Sequence, residues 1–291
     1  MFRGTYTATI TPFAGDAVDE AALREQIEAQ IAAGVDGLVP CGSTGESATL
    51  SHEEHEHVIG VTVDQVAGRA KVIAGTGSNN TAEACRLTVA AANAGADGAL
   101  LISPYYNKPT QAGHVAHYRA VADAAGLPLV LYNIPGRTGV DMTPETIATL
   151  AEHPNVVGLK QANGSIDHTM RVRQLAGPDF AILSGDDTMT LALLAIGASG
   201  VIGVTPNLVP AAYKAMVDAA LAGDFAAALA RHEALLPLMQ AMASETNPIP
   251  IKTAMAIAGR DAGAMRLPLT PMEPGNRERL EAAMTAYGTL A

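Results

Sequence analysis

Gly95-Ala-Asp-Gly-Ala-Leu-Leu-Ile102 ends a helix-like stretch and opens an apolar run, and its first four residues have two counterparts, Gly34-Val-Asp-Gly37 and Gly197-Ala-Ser-Gly200. The three copies lie about two and then about four βα units apart, which marks a weak internal repeat of a strand and a helix. Short apolar runs recur at 5–10, 37–40, 72–74, 98–102, 129–132, 156–159, 181–183 and 201–204, and each reads as a strand. Between them, stretches such as 20–33, 53–66, 81–94 and 115–125 are Ala-rich with helical apolar spacing. Strands alternating with helices predict a parallel sheet. Eight such units before residue 223 predict a closed (β/α)8 TIM barrel rather than an open doubly wound sheet. Gly75-Thr-Gly77 lacks the third glycine of a dinucleotide fingerprint, which points the same way.

The reading therefore divides the chain into an α/β barrel over residues 1–222 and a C-terminal helical extension over 223–291 packed on it. Helices are expected over 224–243, 249–258 and 277–287, with Pro248, Pro250, Pro268, Pro271 and Pro274 placed where helices should stop. At 291 residues one domain is enough, since barrels of this length form around a single core.

With 48% hydrophobic and 16% charged residues, the chain has ample material for a core. A net charge of -11 and only 4% aromatic residues argue against nucleic acid as a partner. An anionic substrate must then be captured by a local cation or an amide-lined pocket, not by the field of the whole chain. The opening MFRGTYTATITPF has no signal-peptide pattern, and no stretch has the length of a membrane span, so a cytoplasmic protein without a membrane partner is expected. Cys41 and Cys85 are too few for a disulfide scaffold and are read as reduced packing residues.

In a barrel the active site forms where strands end at the carboxyl side, so the residues closing each run carry the chemistry. Lys160 follows Val156-Val-Gly-Leu159, where an apolar interior opens into the mouth. Desolvation there favours the neutral amine, the nucleophile of Schiff-base catalysis; the alternative is a lysine paired with Asp186 or Asp187. Gly42-Ser-Thr-Gly45 offers hydroxyls and amides that suit a carboxylate, or is simply a tight turn. Tyr132 reads as a proton-handling hydroxyl or a packed aromatic, and Arg137, in a Pro/Gly-bounded loop, as a carboxylate clamp or a solvated charge. In Ser51-His-Glu-Glu-His-Glu-His57 the histidines have the wrong spacing for a zinc-protease helix, while Ser51 with Glu54 makes a capping box, so no metal is expected.

Six stretches taken together are similar to the dihydrodipicolinate synthase and N-acetylneuraminate lyase superfamily: GSTGESATLS at 42–51, AGTGSN at 74–79, PYYNKP at 104–109, YNIPGRTG at 132–139, GLK at 158–160 and LSGDD at 183–187. The resemblance runs from Thr7 to about Asn207 and is weaker in the helical tail. It implies that Lys160 forms an imine with pyruvate and that Tyr132 moves protons during imine formation and cyclisation. It also implies that Ser43 links Tyr132 to Tyr106 of a neighbouring subunit. The Ser43 and Thr44 amides would hold the pyruvate carboxylate, Arg137 the carboxylate of L-aspartate 4-semialdehyde, and Gly185 with the Ile202 carbonyl would complete the wall. The implied activity is a condensation in diaminopimelate and lysine biosynthesis by a homotetramer built as a dimer of dimers, with no cofactor because the imine is the electron sink.

Two departures stand out, Ser43 where many relatives carry threonine and Gln161 where glutamate is common, the latter removing a charge beside the imine. The resemblance also maps an inhibitory L-lysine site onto Ser47, Ala48, His52, His55, Asn79, Glu83 and Tyr105. The rival reading within the superfamily is a pyruvate-dependent aldolase or lyase of longer 2-oxo acids. Arg137 favours the synthase, since sugar-acid relatives generally lack it. A non-catalytic small-molecule-binding barrel is the remaining alternative.

Overall fold

The computed structural model describes residues 2–260 and 262–289. Eight parallel strands close a barrel: β1 Gly4–Ala8, β2 Gly37–Val39, β3 Lys71–Gly75, β4 Gly98–Ile102, β5 Leu129–Asn133, β6 Val156–Gln161, β7 Ala181–Ser184 and β8 Gly200–Gly203. Each pairs with its sequence neighbour, and β1 pairs with both β2 and β8. The helices are α1 Glu20–Ala32, α2 His52–Val66, α3 Thr81–Asn93, α4 Gln111–Ala125, α5 Pro135–Thr138, α6 Pro144–Ala151, α7 Ile166–Ala176, α8 Thr190–Ala195, α9 Pro210–Leu221, α10 Phe225–Met242, α11 Ile249–Ile257 and α12 Pro274–Tyr287. The barrel and its eight strand positions are those expected from the apolar runs. A two-stranded hairpin, Phe13–Ala14 with Ala17–Val18, is added, too short to leave a periodic signal.

The repeated tetrapeptide has a physical basis at both ends. Gly34, Gly95 and Gly197 all have positive φ, between 79° and 94°, and terminate α1, α3 and α8 in the left-handed conformation that favours glycine. The second glycine leaves room at the bottom of the barrel, because a Cβ on Gly37 would strike the Tyr6 ring and one on Gly98 the Phe2 ring. Phe2 and Tyr6 meet edge to face at 5.9 Å and fill that space. The intervening Asp36 and Asp97 accept from the amides of Thr5 and Val72, at 2.8 and 2.9 Å, on the neighbouring strands.

Inward-facing Ala8, Val39, Ile73, Leu100, Val130, Leu183 and Ile202 fill the barrel, and a larger apolar layer packs the helices against its outside. A third cluster joins Ile10 to Met242, Ile251, Met255, Leu280 and Met284. Helices α10 to α12 thereby share a core with the end of the first strand. Contrary to expectation, Pro248, Pro250 and Pro274 lie at helix starts, where the missing N–H costs nothing, and not at helix stops. Among the described residues no helix is long and apolar enough to cross a membrane.

Candidate active site

Tyr132 and Lys160 are register partners on β5 and β6, so both project into the barrel mouth. The Lys160 amine lies 4.3 Å from the centroid of the Tyr132 ring, and only 5% of the lysine and 6% of the tyrosine remain exposed. Lys160 belongs to the strand itself, which continues through Gln161, instead of following it. Burial pushes its amine down to about 8, with Asp187 opposing the shift and Arg137 adding to it. Burial likewise pushes the Tyr132 hydroxyl up to about 12, so it keeps its proton at neutral pH.

The alternative pairing of Lys160 is not realised. Asp187 accepts from the Thr205 amide and hydroxyl and from the Val204 amide, while Asp186 accepts from Thr188 and the Met189 amide. Lys160 forms no ion pair among the described residues. Gly185 explains how the lysine fits, since a Cβ there would stand 3.0 Å from the Lys160 Cγ and 2.9 Å from the Ala162 Cβ. Gln161, by contrast, points to the opposite face of β6, as strand alternation requires, and bonds Asn133 and His168 at 3.1 and 2.9 Å. The expectation that Gln161 alters charge beside the imine is therefore corrected: its side chain belongs to the layer between barrel and helices.

A cleft of about 660 Å³ opens over these residues. Ser43, Thr44, Tyr132, Arg137, Lys160 and Gly185 all line it; Ile202 does not, and Val204 takes the place on the wall. Ile202 is instead fully buried in the barrel interior. Arg137 occupies the short helix α5 and not an irregular loop; its side chain is exposed and donates to the Asn247 carbonyl at 2.9 Å. Tyr106 is 89% exposed with φ 72° and is absent from the cleft wall, so within one chain it meets neither Ser43 nor Tyr132.

The same cleft extends to Ser47, Ala48, His52, His55, Glu83 and Tyr105. Asn79 does not line the cleft but donates to the Tyr105 carbonyl at 3.2 Å. His52 meets Glu83 at 2.8 Å, and the Ser78 hydroxyl also donates to that carboxylate; these two bonds hold Glu83 below the usual carboxylate range. His55 is buried with Nδ1 unpartnered among the described residues, and burial lowers its pKa. The Ser51–Glu54 capping box starts α2 as expected. Among the described residues no group of three or more His, Cys, Asp and Glu side chains is arranged to hold a metal ion.

Asn247 was not anticipated. Its Nδ2 donates to the Thr44 hydroxyl at 2.8 Å while its carbonyl accepts from Arg137, so one residue of the extension touches both expected carboxylate sites. Nothing in an Asn-Pro dipeptide announces this. Lys252 is set aside in sequence because it does not terminate an apolar strand, and it lies inside helix α11, buried.

The sequence profile of the dihydrodipicolinate synthetase family matches residues 1–287, so the likeness extends through the helical tail. A 4-hydroxy-tetrahydrodipicolinate synthase of Geotalea uraniireducens is 51% identical over 290 residues, with 100% of both chains covered. The crystal structure of dihydrodipicolinate synthase from Aquifex aeolicus superposes with a TM-score of 0.98 at 45% identity over 99% of each chain. That of the Cyanidioschyzon merolae enzyme with lysine bound superposes with a TM-score of 0.97 at 42% identity, again over 99% of each chain.

Proposed function

The chain belongs to the dihydrodipicolinate synthetase family, and from that premise we propose that Lys160 is the amine on which its reaction runs. Its activity is that of a 4-hydroxy-tetrahydrodipicolinate synthase, a lyase-type enzyme of lysine biosynthesis that joins pyruvate to L-aspartate 4-semialdehyde. The neutral Lys160 amine attacks the pyruvate carbonyl carbon and water leaves, giving an imine that acidifies the methyl protons. Loss of one proton gives the enamine, which attacks the aldehyde carbon of the second substrate. The amino group of that substrate then displaces Lys160 as the ring closes, and the enzyme amine is regenerated.

Tyr132, protonated at neutral pH, is the group beside Lys160 that delivers and receives protons in these steps. Ser43 connects it to Tyr106 of a second copy, a role that suits a tyrosine standing almost fully exposed on its own chain. The working molecule is accordingly a homo-oligomer, a tetramer built from dimers. Ser43 and Thr44 hold the pyruvate carboxylate, and Arg137 receives the semialdehyde carboxylate. L-Lysine binds the arm of the cleft between Glu83 and Tyr105, where the ionised Glu83 suits its ammonium end.

The observation that carries this reading is the desolvated, unpaired Lys160 amine against Tyr132. Borohydride reduction with pyruvate tests it: one adduct per chain is expected, mapped to Lys160 and absent from Lys160→Ala. An adduct of the same yield in that variant overturns the assignment.

A further inference from the structure

The turn that carries Ser43 and Thr44 is gripped from the extension at a second point besides Asn247. Glu46 and Lys252 form an ion pair at 2.7 Å whose side chains are each 1% exposed. The other Glu46 oxygen accepts from the Arg266 amide at 3.0 Å. The Lys252 amine also donates to the carbonyls of Thr11 and Ala264, at 3.1 and 3.2 Å, and lies 4.5 Å from the centroid of the Phe13 ring. The Thr11 hydroxyl in turn donates to the Gly45 carbonyl at 2.7 Å. Around one turn, then, the extension, the end of the first strand and the hairpin converge on a single buried charge pair.

Glu46 needs that anchorage. Its backbone is left-handed, with φ 52° and ψ 35°, a conformation that a residue with a Cβ keeps only where its surroundings over-determine it. Its carbonyl accepts from the Thr49 amide and hydroxyl, and its own amide donates to the Ser43 carbonyl at 3.3 Å. A rotation at Glu46 therefore moves Ser43 and Thr44 directly.

We infer that the buried Glu46–Lys252 pair is a positioning device for the pyruvate carboxylate site, setting the Ser43–Thr44 turn from the C-terminal extension. The inference rests on the reading that this turn holds pyruvate. A buried pair adds little net stability over an apolar replacement, whereas removal of one partner strands the other, so its retention beside the cleft needs a reason other than stability.

The test uses the full-length protein with Glu46→Gln, Lys252→Met and the double variant. Lys214→Met, which breaks the pairs with Asp36 and Asp218 beside α9, is the control for destabilisation alone. The expected result is a rise in pyruvate KM, and in the pyruvate concentration that half-saturates borohydride trapping, of about tenfold or more in the double variant. The semialdehyde KM should stay within about twofold, and Lys214→Met should lower the melting temperature without moving either KM. Should a single variant not fold, the double variant carries the comparison, since removing both partners strands neither member of this pair. A folded double variant with wild-type pyruvate KM overturns the inference, and so does a double variant that does not fold, which would make the pair structural. Absence of a pyruvate adduct in the wild type would instead overturn the underlying reading of the site.

Discussion

Lys160 is set apart from the other lysines by its burial at the end of a barrel strand. Both nearby aspartates are engaged by Thr205, Val204, Thr188 and Met189, so the amine forms no ion pair among the described residues, and burial lowers it to about 8 from the ordinary 10.5 against the opposing pull of Asp187. At pH 7 about a tenth of such an amine is neutral, against about one part in three thousand for an exposed lysine. The rate of pyruvate trapping should therefore climb to about pH 8 and level off, and a profile still rising at pH 10 would contradict the shift. The same burial has a stability consequence. Between pH 8 and 10.5 the unfolded chain holds the Lys160 proton more tightly than the folded one, so stability rises with pH across that window. Below it the folded state carries a penalty on the order of 3 kcal/mol, which Lys160→Met should remove. Melting of the two proteins at pH 7 checks this: the inactive variant should melt higher. Arg137 differs in kind, being exposed and, among the described residues, tied to the Asn247 carbonyl alone. Solvent screening tempers what a buried clamp would contribute, so Arg137→Ala should raise the semialdehyde KM on the order of tenfold to a hundredfold. Pyruvate trapping should be little changed, and equal loss of both would make Arg137 structural.

At the scale of elements, α4 buries two histidines, of which His117 ties it to α3. Among the described residues, His114 is fully buried with neither ring nitrogen partnered, and His117 bonds Thr81 through Nδ1 while Nε2 has no partner. Burial pushes His117 down to about 4, with His114 adding to the shift, and burial lowers His114 as well. Both folded values lie below the unfolded value of 6.5, so the unfolded chain binds more protons between about pH 4 and 6.5. The stability these helices contribute is intact above pH 6.5 and lost as the pH falls toward 4. A thermal melt series from pH 7 to 4.5 should show this as a drop that His117→Leu makes shallower, and a parallel drop in the variant would place the acid sensitivity elsewhere. Local signals wrote most of these elements into the sequence. Ser51 with Glu54 starts α2, Asn80 starts α3, Thr110 starts α4, and left-handed Gly34 and Gly95 end two helices. The hairpin at 13–18 and the short α5 left no such mark, because elements of two to four residues have no period to read.

The whole molecule brings the two proposed ligand sites into one cleft. Lys160 and Thr44 line one part, His52, Glu83 and Tyr105 another, and the turn carrying Ser43 continues directly into Ser47 and Ala48. A ligand that binds the second part and moves this turn or the Tyr105-Tyr106 pair changes the first, which gives the coupling a physical route. Inhibition by millimolar L-lysine is therefore expected in steady-state assays, weakened in Glu83→Ala. Absence of inhibition in the wild type would leave these residues a structural role, and undiminished inhibition of the variant would put the lysine elsewhere. The same scale accounts for the extension, whose apolar helices share a core with Ile10 while Asn247 and Lys252 bond Thr44 and Glu46.

Strand ends in a barrel are fixed by local patterning, so the sequence alone determined the eight strands, the closed architecture and the residues that the strands deliver to the mouth. Lys160, Tyr132, Gly185 and the Gly42–Gly45 turn were legible for that reason. Which face Gln161 takes, that Lys160 lacks a carboxylate partner, and that Ile202 is interior were decided only by the packed structure. The grip of Asn247 on Thr44 and of Lys252 on Glu46 spans more than 200 positions in the sequence, 203 and 206 residues. No periodicity or cap encodes such a contact. It exists because an apolar extension must bury itself on the barrel, and where it docks it brings its polar residues to the cleft.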